Sequence, residues 1–182
     1  MRHKGKKDIE VEFRLGRSGN GRFDTNVGEA NFNKLKRALE KYKGWENVAV
    51  TKYESYYGQN NLRTTRYEDE SQISILKKSV EKVDFSCKEL PFDIRMGISN
   101  ESPCDPGDEA EYEMVKYKTR TSFLRKGLSI DLTVTSGDMD DKDSENESEY
   151  QVEFEIVSPK GVKNRDQFYN HIHKIKDLLK CL

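Results

Sequence analysis

Apolar residues are scarce in this 182-residue chain, where Ala, Val, Ile, Leu, Met, Phe, Trp, Tyr and Cys together make up 34%. No run approaches the roughly 20 apolar residues of a membrane span, so no membrane partner is expected. The basic start, Met1 to Lys7, leads into no apolar stretch, and a secretory signal is not expected either. Cysteine is sparse too. Cys87, Cys104 and Cys181 are scattered, odd in number and form no CxxC pair. That argues against zinc ribbons and disulfide scaffolds and for a reducing compartment. His171 and His173 lie two apart, so on a helix they would face different ways rather than share a metal ion. Neither GxxxxGK[ST], nor GxSxG, nor a GxGxxG after a strand occurs, which removes the common nucleotide-binding and hydrolase loops.

Charge, by contrast, is abundant. Asp, Glu, Lys and Arg make up 36% of the chain, against roughly 25% in an ordinary globular domain. The signs nearly cancel, 32 basic against 33 acidic for a net charge of −1, so self-repulsion does not hold the chain open. The length suits a single domain, residues 1–182. The problem the composition sets is where so much paired charge goes.

Periodicity points to an antiparallel α+β domain. Ile9 to Gly16 (IEVEFRLG) alternates strictly, with Ile9, Val11, Phe13 and Leu15 on one face and Glu10, Glu12 and Arg14 on the other. Gly16 to Gly21 is read as a turn. Asn26 with Glu29 resembles a helix cap, Phe32, Leu35, Leu39 and Tyr42 recur at helical spacing, and Gly44 is read as the stop. Strands are expected over 48–57, 61–67, 73–86 (as one or two), 92–100, 113–123, 128–135 and 150–158. Glu101 to Gly107 is read as a loop. Arg165 to Leu182 carries Phe168, Ile172, Ile175, Leu179 and Leu182 on one stripe, an amphipathic helix suited to docking on a sheet. About eight strands in hairpin-length connections permit a closed barrel. The acidic run over 137–149 places Asp138, Asp140 and Glu149 at calcium-loop positions one, three and twelve. Lys142 and Asp143 stand where that loop needs a ligand and a turn glycine, so a flexible solvated loop is expected instead.

The charges are sorted by strand. Glu10 and Glu12 form a same-face acidic pair, Glu153 and Glu155 a second one preceded by Gln151, and Lys116, Lys118 and Arg120 a same-face basic triad. Like charges two apart on a strand stand roughly 7 Å apart and repel strongly once enclosed. A solvated sheet gains nothing from such sorting. Paired carboxylates on two strands suit a hard divalent cation, and a basic triad suits a polyanion such as a phosphate chain. If the polar faces line a closed barrel, the apolar faces must point outward, under the two helices.

The order of blocks resembles the metal-dependent RNA 5′-triphosphatases of the fungal, protozoal and viral class, members of the triphosphate tunnel metalloenzymes. The resemblance runs from Ile9 to Ser158 through IEVEFRLG, NLRTTRYED, ILKKS, FDIRMGISNE, VKYKTRTSF, SIDLTVT and YQVEFEI. It implies a closed eight-stranded antiparallel tunnel with a charged interior and helices packed outside, removing the γ-phosphate of nascent mRNA in cap synthesis. It implies Mn2+ or Mg2+ held by Glu10, Glu12 and Glu155. A phosphate clamp would comprise Arg63, Lys77 or Lys78, Lys116, Lys118 and Arg120. Glu101 would orient water, with Arg95 on its face, and Glu153 and Asp131 would hold the basic side chains, with Thr133 beside Asp131. Structural use in strands, rather than base stacking, is expected of the tyrosines.

Two departures from the family pattern stand out. Gln151 occupies the place of a first glutamate, and Lys116 stands where some relatives carry arginine. Arg14 takes the third position of the first strand, where the thiamine-triphosphatase and cyclase branch has lysine. The implied partners are 5′-triphosphate RNA, nucleoside triphosphates and an RNA guanylyltransferase, with a homodimer possible. The implied location is nuclear in a cell, or cytoplasmic or virion-associated in a virus. Alternative substrates are inorganic polyphosphate, thiamine triphosphate or free nucleotides, and Gln151 also motivates a non-catalytic phosphate-binding subunit.

Overall fold

The computed structural model describes residues 8–86, 90–107, 110–136, 148–157, 162, 164–180 and 182. Nine strands run β1 (Ile9–Gly19), β2 (Arg22–Asp24), β3 (Asn47–Gly58), β4 (Leu62–Tyr67), β5 (Gln72–Phe85), β6 (Asp93–Pro103), β7 (Tyr112–Arg125), β8 (Leu128–Ser136) and β9 (Glu149–Ile156). Among the described residues there are also two α-helices, α1 (Glu29–Lys41) and α2 (Arg165–Leu179), and a single 3-10 turn at Gln59–Asn61. The strand order in the sheet is β2-β1-β6-β5-β4-β3-β7-β8-β9, and β1 pairs back onto β9. Every pairing is antiparallel. Eight strands thus close a barrel, and β2 is a short flap on β1. Closure removes the free sheet edges that would otherwise invite pairing with other chains.

The period-two pattern of β1 recurs in β8 and β9, with polar side chains inward and hydrophobes outward. The apolar core therefore lies outside the barrel. Phe13 and Leu15 of β1, Ile130 and Leu132 of β8, and Val152, Phe154 and Ile156 of β9 pack with Phe32, Leu35 and Leu39 of α1 and Ile175, Leu178 and Leu179 of α2. The Phe13 ring meets Phe168 of α2 at 6.0 Å and Phe32 of α1 meets Tyr150 at 5.3 Å. Each helix buries its apolar stripe on one side of the barrel, where such burial contributes roughly 1.5–3 kcal/mol per large side chain. Among the described residues neither α1 nor α2 packs on β3 or β5, and Val48, Val50 and Leu76 are exposed there. No helix among the described residues is long and apolar enough to cross a membrane.

Several local expectations change. The turn after β1 is only Asn20-Gly21, with φ of 49° and 73°, the left-handed pair that a two-residue hairpin needs. β1 therefore runs on to Gly19. Gly16 lies where a Cβ would collide with the Asp24 carbonyl and the Phe23 ring, so its bareness lets β2 fold over β1. Asn26 is not the helix cap. Its Oδ1 accepts from the Gly28 and Tyr150 backbone amides at 3.0 and 3.1 Å, tying the pre-helix loop to β9, and Gly28 is the N-cap. The α1 helix ends at Lys41 with Tyr42 as its cap, two residues before Gly44. Residues 72–85 form one strand, irregular between Ser79 and Glu81. Glu101 belongs to β6 rather than to a loop, because its amide donates to the Asp8 carbonyl at 2.8 Å and it pairs with Lys77. The acidic loop falls, over 137–147, outside the described residues, as do Cys87, Cys181 and the basic start.

Candidate active site

Strand alternation decides which side chains enter the barrel. Glu10, Glu12 and Arg14 enter from β1, Gln151, Glu153 and Glu155 from β9, and Lys116, Lys118 and Arg120 from β7. Arg63 enters from β4, Lys77 from β5 and Glu101 from β6. They surround a cavity of about 470 Å3. Ten of the twelve predicted site residues line it. Asp131 lies just beneath, buried under Arg120. Lys78 does not belong: it is exposed on the outer face, since its neighbour Lys77 pairs with Glu101 and faces in.

One wall of the tunnel is acidic and densely paired. Arg14 contacts Glu12 at 3.0 Å and Glu153 at 3.1 Å. Arg120 reaches Glu153 at 3.3 Å and Asp131 at 3.5 Å, and its Nε donates to the Thr133 hydroxyl at 3.2 Å. Ser129 donates to Asp131 at 2.6 Å. Lys77 pairs with Glu10 and, at 2.7 Å, with Glu101, while Ser99 also donates to Glu10 at 2.8 Å. Gly97, opposite Glu12, leaves the space its carboxylate fills, because a Cβ there would meet Oε1 at 3.2 Å. Burial pushes the Glu153 carboxyl up, but Arg14 and Arg120 outweigh it and hold the group below its usual range.

Negative charge is still in excess at one spot. Glu12 and Glu155 are directly opposed across β1 and β9. Burial raises the Glu12 carboxyl above its usual range, with Glu10 and Glu153 adding to the effect. Glu155 makes no ion pair among the described residues, and burial, Glu10 and Asp131 push it up to about 7. Opposed carboxylates short of a counter-charge have the donor chemistry of an oxygen-ligated divalent cation site, so the residue types and their register fit such an ion. As they stand, no group of three His, Cys, Asp or Glu side chains among the described residues converges to hold one. Glu10 and Glu12 are turned instead onto Lys77 and Arg14.

The facing wall is basic, and its cations rest on tyrosines. Lys118 donates to the Tyr57 hydroxyl at 3.0 Å, and the Arg63 guanidinium lies 5.3 Å from the Tyr57 ring centre. Arg120 lies 5.5 Å from the Tyr53 ring. Lys116 comes only within 3.8 Å of Glu149. The Arg63 Nε is buried without a hydrogen-bond partner. Burial lowers the Lys118 ammonium below its usual range. Burial raises the Tyr57 phenol, but Lys118, Arg63 and Lys116 outweigh it and hold the group below its usual range.

Arg14, Tyr53, Tyr57 and Ser99 are the site residues that sequence reasoning misses. Arg14 is within its reach, since it shares a face with Glu10 and Glu12. Tyr53, Tyr57 and Tyr67, expected to serve the strands, also line the cavity. Arg95 shares the inward face through its register with Arg14, yet it is bound to Asp84 at 2.6 and 2.8 Å with its guanidinium 4.5 Å from the Phe23 ring, outside the cavity. Gln151 donates to Glu149 and to the Thr25 hydroxyl, both at 3.2 Å.

Residues 15–182 match the family model described as mRNA capping enzyme, beta chain; Glu10 and Glu12 fall just before the matched span. In fold the chain is similar to the RNA triphosphatase Pct1 of S. pombe, with a TM-score of 0.78 at 17% identity over 95% of this chain and 85% of that one. Pct1 in complex with the Spt5 CTD matches likewise, at 0.79 and 18% identity over 95% and 86%. The Mimivirus capping enzyme triphosphatase matches at 0.66 and 12% identity over 98% and 92%. No curated protein matches by sequence.

Proposed function

This chain belongs to the mRNA capping enzyme beta-chain family and is an RNA 5′-triphosphatase of cap synthesis, and from that premise we propose how its tunnel divides the work. The supporting observation is the enclosure of Arg63 and Lys118, cations with no ion-pair partner among the described residues, opposite a wall of carboxylates. Such cations in an enclosed polar cavity suit a polyanion entering end-on.

Arg63, Lys116, Lys118 and Arg120 bind the triphosphate oxygens and fix its axis. Arg120 is itself held by Glu153 and Asp131, so its fork is oriented before substrate arrives. Glu10, Glu12 and Glu155 would hold Mn2+ or Mg2+, an ion that would supply neutralisation of the charge developing on the phosphate chain. Lys77 leaves Glu10 and Glu101 for the phosphate chain, which frees Glu101 to orient the attacking water. Phosphoryl transfer asks the protein mainly for positioning and electrostatics, and every residue named here does one or the other. The products are inorganic phosphate and a 5′-diphosphate RNA end, the end an RNA guanylyltransferase consumes. Nucleoside triphosphates present the same phosphate chain and are hydrolysed too.

The test is manganese-dependent release of phosphate from γ-labelled triphosphate-ended RNA. Glu10→Ala and Glu12→Ala are expected to abolish release, as is chelation of the metal. Near-full activity in both variants would overturn the reading.

A further inference from the structure

The basic wall leaves one hydrogen bond unmade. An ammonium has donors only, so in the Lys118–Tyr57 contact the phenol oxygen accepts. The phenol's own hydrogen has no acceptor among the described residues. Tyr57 also lines two cavities at once, the central one and a second of about 410 Å3 reaching Gly58 and Asn61 in the β3–β4 turn. A phosphate chain lying along the tunnel must pass it. Its ring carries the Arg63 guanidinium at 5.3 Å and the Lys118 ammonium at 5.6 Å, so one side chain stands between two like charges that have no acid to separate them.

We propose that Tyr57 is a substrate-binding residue: its phenol donates the unused hydrogen to a phosphate oxygen, while its oxygen and ring hold Lys118 and Arg63 against the same chain. This rests on the triphosphatase reading of the tunnel. The neighbouring tyrosine is a useful contrast. Tyr53 underlies Arg120, which is already tied to Glu153 and Asp131, and burial pushes its phenol up to about 12, a weaker donor. Tyr57, held below its usual range by three cations, is the better donor.

The experiment measures tripolyphosphate binding to the full chain by calorimetry, with Tyr57→Phe and Tyr57→Leu beside the unaltered protein. Tyr57→Phe keeps the ring and is expected to bind about tenfold more weakly, the effect of one hydrogen bond to a charged group. Tyr57→Leu, which also removes the face under both cations, should lose roughly another tenfold. Equal binding by Tyr57→Phe and the unaltered protein overturns the inference. A second measurement needs no variant. Ultraviolet titration of the unaltered protein should find one phenol ionising below the rest and moved upward by tripolyphosphate, and a titration that tripolyphosphate leaves unmoved also overturns it. If the unaltered protein neither binds tripolyphosphate nor releases phosphate from RNA, the triphosphatase reading fails and takes this inference with it. If it does both while Tyr57→Phe is unchanged, Tyr57 alone is wrongly assigned.

Discussion

The two walls of the tunnel satisfy their charges by opposite means. On β1, β6 and β9 the carboxylates are met by bases: Glu153 by Arg14 and Arg120, Glu10 and Glu101 by Lys77. On β4 and β7, Arg63 and Lys118 are met instead by the ring and phenol of Tyr57 from β3. A carboxylate partner would compete with an incoming phosphate for the same ammonium or guanidinium. A ring face attracts a cation by about 0.5–2 kcal/mol and yields it readily to a phosphate. Apart from Glu155, the acidic wall is thus largely paired from within, whereas Arg63 and Lys118 on the basic wall are left to be paired by a ligand.

That contrast is open to attack, and the largest expected effect lies on the acidic wall. Glu153→Ala removes the carboxylate that Arg14 and Arg120 share, leaving them Glu12 and Asp131 alone, and denaturant unfolding should register a loss of about 3 kcal/mol, with activity lost as well. On the basic wall the same kind of truncation should act on function alone. Lys118→Ala is expected to lower γ-phosphate release about 100-fold while stability stays within about 1 kcal/mol, because no acid is left unpaired. If Lys118→Ala unfolds the protein as readily as Glu153→Ala, the two walls are not different in kind. Smaller still is the effect of relieving the opposed carboxylates. Glu155→Gln should stabilise the metal-free protein by about 0.5–1 kcal/mol, seen as a rise of a few degrees in the thermal midpoint, and should abolish stabilisation by Mn2+. The smallest effect is a change of almost nothing. Lys78→Gln should leave phosphate release within about twofold, as surface substitutions do, whereas Lys77→Gln cuts it severely.

Much of this architecture is legible in the amino-acid sequence, and the limits have physical causes. Strict alternation in IEVEFRLG and YQVEFEI names both the strands and their charged faces, and the sorting of sign between strands is a sound signal for an enclosed interior. The spacing of Phe32, Leu35 and Leu39, and of Phe168, Ile175 and Leu179, finds both helices. Pattern does not tell Lys77 from Lys78, because adjacent lysines occupy both faces and the irregularity at Ser79–Glu81 breaks the phase that would link them to the rest of β5. Glu101 reads as loop because Pro103, Pro106 and Gly107 follow it, yet its ladder partner Lys77 lies far back along the chain. Tyr57 is hidden because β3 carries tyrosines on both faces, Tyr53 and Tyr57 inward and Tyr56 outward beside Glu54. Pattern assigns a residue to a face, but only closure says which face is the inside.

The barrel wall is a single sheet thick, and its buried apolar core sits on the outer side. Chain length inside a strand is therefore under a double constraint that an ordinary core does not impose. One inserted residue in the middle of β1 would carry Phe13 into the tunnel and Glu12 beneath α2 in the same stroke, since a shift of one exchanges the two faces. The tunnel would lose its carboxylates and the helix its footing together. The Asn20–Gly21 and Lys126–Gly127 hairpins stand beyond that rule, because residues added at such ends, unlike ones along the staves, leave both faces in place.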